Sequence, residues 1–350
     1  MSDANGYDCE VVIAGGGYAG LAAARALGAR ALVIDQHQLG AVQRSACAMP
    51  LDIAHRFGVA SAVLQVFPTG LLHTPYSTSR YRLEPPYCVF DHARLCADLF
   101  AQTDARYLRA RVLGVADLDA TGGTVLTSAG PVRGRVLIDA TGWPAVLATA
   151  RRPALAERRR LTVGMEAEVP GTSEHLHFYF DQRFVRNGYA WVFPAGDTLR
   201  IGVGAYDRHT RLSGALADFL RHLGYEGKAC RGGLIPWFQR PATVDGIFLA
   251  GDAAGQCLPL TAEGIRFALV FGELAGELIG AVLDGRLSRA QGEARYAQAL
   301  AEHWRRASYF RFFQRLVRPI GSRGVDFVAR ALALRPVAPR LVRRYAAWSN

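Results

Sequence analysis

The feature that most constrains this chain is a glycine cluster near its start, Gly15-Gly16-Gly17-Tyr18-Ala19-Gly20. It lies between an apolar run, Glu10 to Ala14, and an alanine-rich stretch, Ala19 to Leu27. The first reads as a buried strand and the second as a helix; Ala31 to Ile34 then reads as another strand, ending at Asp35. Each glycine of this GxGxxG spacing has a physical task. Gly15 permits the tight turn, Gly17 lets backbone approach a pyrophosphate at the positive helix end, and Gly20 allows close packing of helix on strand. The Asp35 carboxylate is placed to accept from ribose hydroxyls. The chain therefore opens as a dinucleotide-binding βαβ unit, with Tyr18, Ala19 and Gln36 as further candidate contacts.

Which dinucleotide follows from residues far downstream. Ala140-Thr141-Gly142 closes another strand-like segment, and IFLAGDAAGQCLPLTAEGIRFAL places Gly251-Asp252 after a strand and Gly264-Ile265 at a helix start. A carboxylate at a strand end binds polyol hydroxyls, and amides at a helix N-terminus stabilise negative charge on a reduced isoalloxazine. Ribityl and flavin satisfy both, so FAD is the expected cofactor; Pro259 joins the candidate contacts.

At 350 residues the chain suits one large or two fused units. A helix at Asp91 to Gln102 precedes strand-like segments at Arg109 to Val115, Thr124 to Ser128 and Val132 to Asp139, which read as a small hairpin returning to the main sheet. Between Leu161 and Tyr206 the apolar period is near two, which predicts an antiparallel sheet. A strand at Ile247 to Ala250 and a helix from Ala262 to Leu283 lead back to the nucleotide unit. The expected fold class is α/β: a Rossmann-like FAD-binding domain, an inserted antiparallel β-sheet substrate domain and a helical C-terminus. The boundaries read as residues 1–70 (FAD-binding βαβ), 71–90 (substrate-domain strands), 91–150 (FAD-binding domain), 151–240 (substrate domain), 241–285 (FAD-binding return) and 286–350 (basic helical region).

The three cofactor motifs resemble the glutathione-reductase type of FAD fold in the group of p-hydroxybenzoate hydroxylase, squalene epoxidase, lycopene cyclases, halogenases and geranylgeranyl reductases. The resemblance spans residues 9 to about 283 and implies that Val112 approaches the adenine and Gly142 the pyrophosphate. Two further segments resemble the geranylgeranyl reductase family. Tyr189-Ala190-Trp191-Val192-Phe193-Pro194, followed by Ile201-Gly202-Val203-Gly204, is similar to its YxWxFP strand and glycine-rich return strand. Alternation puts Tyr189, Trp191 and Phe193 on one face, a flat aromatic wall suited to an isoprenoid, or else an ordinary sheet core. Arg44-Ser45-Ala46-Cys47-Ala48 resembles the family's basic-x-x-Cys-Gly segment, with Ala48 for the usual glycine. Two readings stand for Cys47: a thiol facing flavin and substrate, or a buried structural one. Where the family opens a helix with Arg, followed at three and four positions by Phe-Asp, this chain has His92, Leu95 and Cys96. Arg94 is the expected substitute in contacting FAD.

The resemblance implies a reductase of carbon–carbon double bonds in a polyprenyl substrate, with Cys47, Tyr189 and Trp191 as catalytic-site candidates. No second GxGxxG serves a stably bound nicotinamide, so a transient NADPH or a ferredoxin-like donor is expected to reduce the flavin. A monooxygenase, a lycopene-cyclase-like enzyme using an acid such as Glu166, Glu168 or Glu263, and a non-catalytic FAD-binding protein are the alternatives. A halogenase is disfavoured because Lys228, the one lysine, sits in no matching motif.

Composition bounds the setting. Half the residues are hydrophobic and 20% charged, which excludes global disorder. The longest apolar stretch, Phe267 to Leu283, is interrupted by Glu273 and Glu277, so no membrane-spanning helix is expected. Six cysteines without CxxC or Cys/His spacing suit reduced thiols and no metal, and the expected place is the cytoplasm. Of the net charge of +11, residues 301–350 supply all but about two units. Trp304, Phe310, Phe313 and Val317 recur there at helical spacing, with Arg305, Arg306, Arg311, Arg315 and Arg318 largely elsewhere. Such a basic amphipathic helix fits either an anionic membrane surface or a helix packed on the core; nucleic acid is not an expected partner.

Overall fold

A computed structural model describes residues 6–156, 161–207, 210–228 and 231–333. Cys230 and Trp348 lie outside the described residues. The chain opens with β1 (Cys9–Ala14), α1 (Tyr18–Leu27) and β2 (Ala31–Asp35), followed by β3 (Ala48–Pro50) and α2 (Leu51–Arg56). A long hairpin, β4 (Val63–His73) and β5 (Thr78–Phe90), leads to α3 (His92–Phe100). Next come β6 (Arg106–Arg109), β7 (Val112–Asp119), β8 (Gly122–Thr127), β9 (Gly130–Asp139) and α4 (Val146–Arg151). The middle of the chain holds β10 (Leu161–Pro170), β11 (Leu176–Tyr179), β12 (Gly188–Ala195), β13 (Thr198–Ala205), α5 (Leu212–His222) and β14 (Arg231–Pro236). The last elements are β15 (Thr243–Val244), β16 (Ile247–Leu249), α6 (Ile265–Leu283) and α7 (Arg289–Ala333).

Two sheets result. The first runs β15-β16-β9-β1-β2-β6, parallel from β16 to β6, with the β7–β8 hairpin attached to β9. Val11, Val12, Ile13 and Ala14 are fully buried because a parallel sheet is covered on both faces. Small residues set the approach of α1 to α6: a Cβ on Gly272 would stand 2.2 Å from the Ala19 carbonyl oxygen, and one on Gly276 2.7 Å from that of Ala23. The helix against the cofactor turn is thereby held by backbone contact.

The second sheet runs β14-β10-β13-β12-β11-β4-β5-β3, antiparallel except where β11 meets β4. It starts earlier in the chain than residue 71, since β3 and the first half of β4 belong to it. Pro68 interrupts the alternation of β4 and the ladder shifts register between Phe67 and Thr69, so the strand does not show in the sequence. Helix α6 begins at Ile265 instead of Ala262, because Leu260 and Ala262 have positive φ of 71° and 53° and hold a loop open before the helix.

Helix α7 breaks at Gly321, where φ is 62°, just after Pro319. Before the break, Trp304 and Ala307 are buried in the parallel-sheet core. After it, the Thr74 hydroxyl donates to Asp326 at 2.6 Å and the Tyr81 hydroxyl to the Ala329 carbonyl at 2.6 Å, which ties this arm to the β4–β5 hairpin. Among the described residues no helix is long and apolar enough to cross a membrane.

Candidate functional site

The glycine turn behaves as the sequence requires. A Cβ on Gly15 would lie 2.2 Å from the Ala140 carbonyl oxygen, one on Gly20 1.9 Å from that of Gly15, and one on Gly17 would meet nothing within 4 Å. Thus Gly15 and Gly20 are needed for packing, while Gly17 faces open space. No side chain caps α1, so its first-turn amides are left for an anion. Asp35 receives the amides of Gly16 at 2.9 Å and His37 at 2.8 Å, which fixes the carboxylate at the strand end with lone pairs to spare.

A cavity of about 2110 Å³ starts at this turn. Along it lie Gly15, Gly17, Tyr18, Ala19, Asp35, Gln36, Arg44, Val112, Ala140, Thr141, Gly142, Gly251, Asp252, Gly264 and Ile265, all expected at the cofactor from the sequence. The structure leaves three expected residues off that wall. Gly20 is packed beneath the turn, and Pro259 is buried beside Leu260 and Thr261, which do line the cavity. Arg94 points away: its guanidinium pairs with Asp98 at 2.9 Å on the surface, because the helical turn carries it past the side that His92 presents to the cavity.

Asp252 is the telling group. Its carboxylate has no hydrogen-bond partner among the described residues, and burial pushes its pKa up to about 6, with Arg240 and Arg44 opposing. A half-buried carboxylate on the cavity wall, left without donors, is poised for a hydroxyl-bearing ligand. Beside it α6 begins at an N-cap, Gly264, that has no capping side chain. Cradle, orphan carboxylate and two uncapped helix ends are the donor and acceptor set that FAD needs.

The structure also supplies a residue that no motif signalled. Arg240, 2% exposed, donates to the carbonyls of Trp143 at 2.7 Å, Ala253 at 3.1 Å, Leu155 at 3.2 Å and Asp252 at 3.3 Å. One guanidinium thus ties together the loops after β9 and β16. A single arginine before a short strand has no spacing to mark it in sequence.

Beyond the cradle the cavity wall turns apolar. Tyr189, Trp191 and Phe193 do share a face of β12, with neighbouring ring centroids 5.9 and 6.3 Å apart, and Phe178 and Phe180 extend the wall. Glycine makes room for it: a Cβ on Gly202 would fall 2.1 Å from the Trp191 ring. The indole donates to Glu166 at 2.9 Å and the Tyr189 hydroxyl to the Thr261 carbonyl at 2.7 Å. Burial lifts the Glu166 carboxyl above its ordinary range, against the pull of Trp191, Arg231 and Arg200. Cys47, 1% exposed, also lines the cavity. Phe310, Phe313, Leu316, Val317 and Ile320 of α7 close the far side.

The same fold recurs in solved structures. A geranylgeranyl bacteriochlorophyll reductase-like protein from Thermoplasma acidophilum superposes with a TM-score of 0.82 at 19% identity, over 93% of this chain and 91% of that one. The chain shares that protein's fold. A flavin-dependent brominase shares it at a TM-score of 0.74 and 18% identity, over 96% and 92% of the two chains. In sequence, the chain is similar to digeranylgeranylglycerophospholipid reductase 2 of Methanothermobacter thermautotrophicus, 32% identical over 184 residues, 48% of this chain and 46% of that protein. Digeranylgeranylglycerophospholipid reductase 1 of Methanopyrus kandleri is 29% identical over 191 residues, half of each chain. These matches span about half the length of the relatives. No protein-family model matches. The resemblance read from the motifs thus holds in both sequence and fold.

Proposed function

We propose that this protein is an FAD-dependent oxidoreductase that reduces carbon–carbon double bonds of a polyprenyl lipid. The observation that carries the reading is the continuity of one cavity, from the Gly15–Gly20 turn and Asp252 to the wall of Tyr189, Trp191 and Phe193. Sequence similarity to named reductases of geranylgeranyl lipids supports it. Bound FAD, reduced by a transient NADPH or a ferredoxin-like donor, supplies hydride. The chain's own residues bind and orient: the α1 end, Asp35 and Asp252 hold the cofactor, and the aromatic wall lays the alkene beside it. Lys228 is exposed and off the cavity wall, which gives no support to halogenation.

Helix α7, whose inner face lines the cavity, points to where the substrate comes from. Tyr309, Phe312 and Phe327 are 69%, 59% and 74% exposed on α7, interspersed with Arg305, Arg306, Arg311 and Arg315. Exposed rings beside arginines suit the interface of an anionic bilayer, from which a long apolar chain enters without crossing water. The test of the whole reading is anaerobic turnover with polyprenyl lipids and dithionite-reduced protein, read by product mass. A gain of about 2 Da per bond is expected by simple hydrogen bookkeeping, whereas an unchanged mass would indicate cyclisation, and about 16 Da more, in air, oxygenation.

A further inference from the structure

His92, the first residue of α3, lies on the cavity wall in contact with two other polar side chains. His92 begins α3 behind the Asp91 cap, with Nδ1 2.7 Å from the Tyr18 hydroxyl and the two rings edge to face, centroids 5.3 Å apart. That hydroxyl lies 3.5 Å from Cys47 Sγ. Cys47 has φ of 57°, a left-handed conformation that a non-glycine residue adopts at a cost, and it is held there as its thiol donates to the Ser45 carbonyl at 3.3 Å. All three side chains line the cavity; Cys47 is buried and His92 half-buried. Burial raises the thiol and the phenol and lowers the imidazole, so each is neutral at pH 7. Asp91, Arg200, Arg231, Glu166 and Cys96 face this chain of groups, and the His92 ring also bonds the Val42 backbone.

We propose that His92 and Tyr18 form a proton relay that ends at the Cys47 thiol and refills it after the thiol has protonated a substrate carbon. The relay rests on the reductase reading. The balance is complete: the alkene takes a hydride with its electron pair from a reduced flavin and a proton from Cys47, leaving a thiolate. Tyr18 gives its hydroxyl proton to sulfur while taking the Nδ1 proton of neutral His92, whose Nε2 takes a proton from water in the same step, and the hydroxide left goes to bulk solvent. Tyr18 and His92 touch no substrate atom in this step, so they are relay residues and not catalytic ones.

The test uses Tyr18→Phe, which keeps the ring packed 6.1 Å from Phe90, and His92→Gln. In flavin-free protein, the pH profile of Cys47 alkylation by iodoacetamide is followed by peptide mass. A lost hydrogen bond to thiolate should slow alkylation of the Tyr18→Phe protein at pH 8 by about tenfold. His92→Gln should displace the alkylation profile from that of the wild type along the pH axis. In flavin-loaded protein, both variants should lower steady-state reduction per bound flavin at least about tenfold and enlarge its solvent isotope effect. Alkylation profiles that superimpose on wild type in both variants overturn the relay, whatever the loaded protein does. Absence of any reduced product from the wild-type protein overturns the reductase reading, and the proton delivery with it.

Discussion

Replacing Asp252 by asparagine tests the cofactor site through two effects of opposite sign. In the flavin-free protein the folded-state pKa of Asp252 is raised from 3.8 to about 6, so the folded chain holds more protons than the unfolded one between these values. Stability then falls as pH rises through that window, and above it the ionised group is a standing cost. Two pH units correspond to about 3 kcal/mol, a ceiling that cavity water lowers toward about 1 kcal/mol. The asparagine side chain never ionises, so the Asp252→Asn protein should be more stable than wild type by about 1–3 kcal/mol at pH 7.5 and nearly equal to it at pH 4. FAD affinity should move the other way: losing charge-assisted bonds of about 1.5–3 kcal/mol raises Kd by about 10- to 150-fold. Urea unfolding of the flavin-free protein at the two pH values, and FAD titration by fluorescence quenching, give both quantities. An unchanged Kd, or a variant destabilised at pH 7.5, refutes the placement of Asp252 at the ligand.

Three further outcomes are expected. Gly202→Ala puts a methyl group 2.1 Å from the Trp191 ring and should cost about 1–3 kcal/mol in urea unfolding, with lower kcat/KM for polyprenyl substrate and normal flavin content. Burial, with His73 and His175 alongside, pushes His177 down to about 4, so the stability of its neutral form is present above pH 6.5 and lost as pH falls toward 4; His177→Gln should flatten this acid limb in pH-dependent melting. Replacing Arg305, Arg306, Arg311 and Arg315 with Gln should abolish co-sedimentation with anionic liposomes at low salt, at about 1 kcal/mol per charge, whereas continued pelleting would leave the exposed rings as the anchor.

The proton relay and the arginine clamp differ from the cradle in how far apart their parts lie in the chain. GxGxxG and Asp35 are local: their spacing is dictated by consecutive strand, turn, helix and strand, so sequence alone determined this βαβ unit and the residues that meet at its turn. Strand periodicity likewise determined that Tyr189, Trp191 and Phe193 share a face, because side chains alternate whatever the strand's neighbours. Neighbours were decided only by tertiary structure. That β4 lies beside β11, that Glu166 receives the Trp191 indole, and that Tyr18 meets His92 across 74 residues depend on long-range packing, which carries no local period. Sequence offered Arg94 as the stand-in for a missing arginine because it lies close in number. The helix presents residues by rotation of about 100° per position, and that rotation carries His92 to the cavity and Arg94 to the surface.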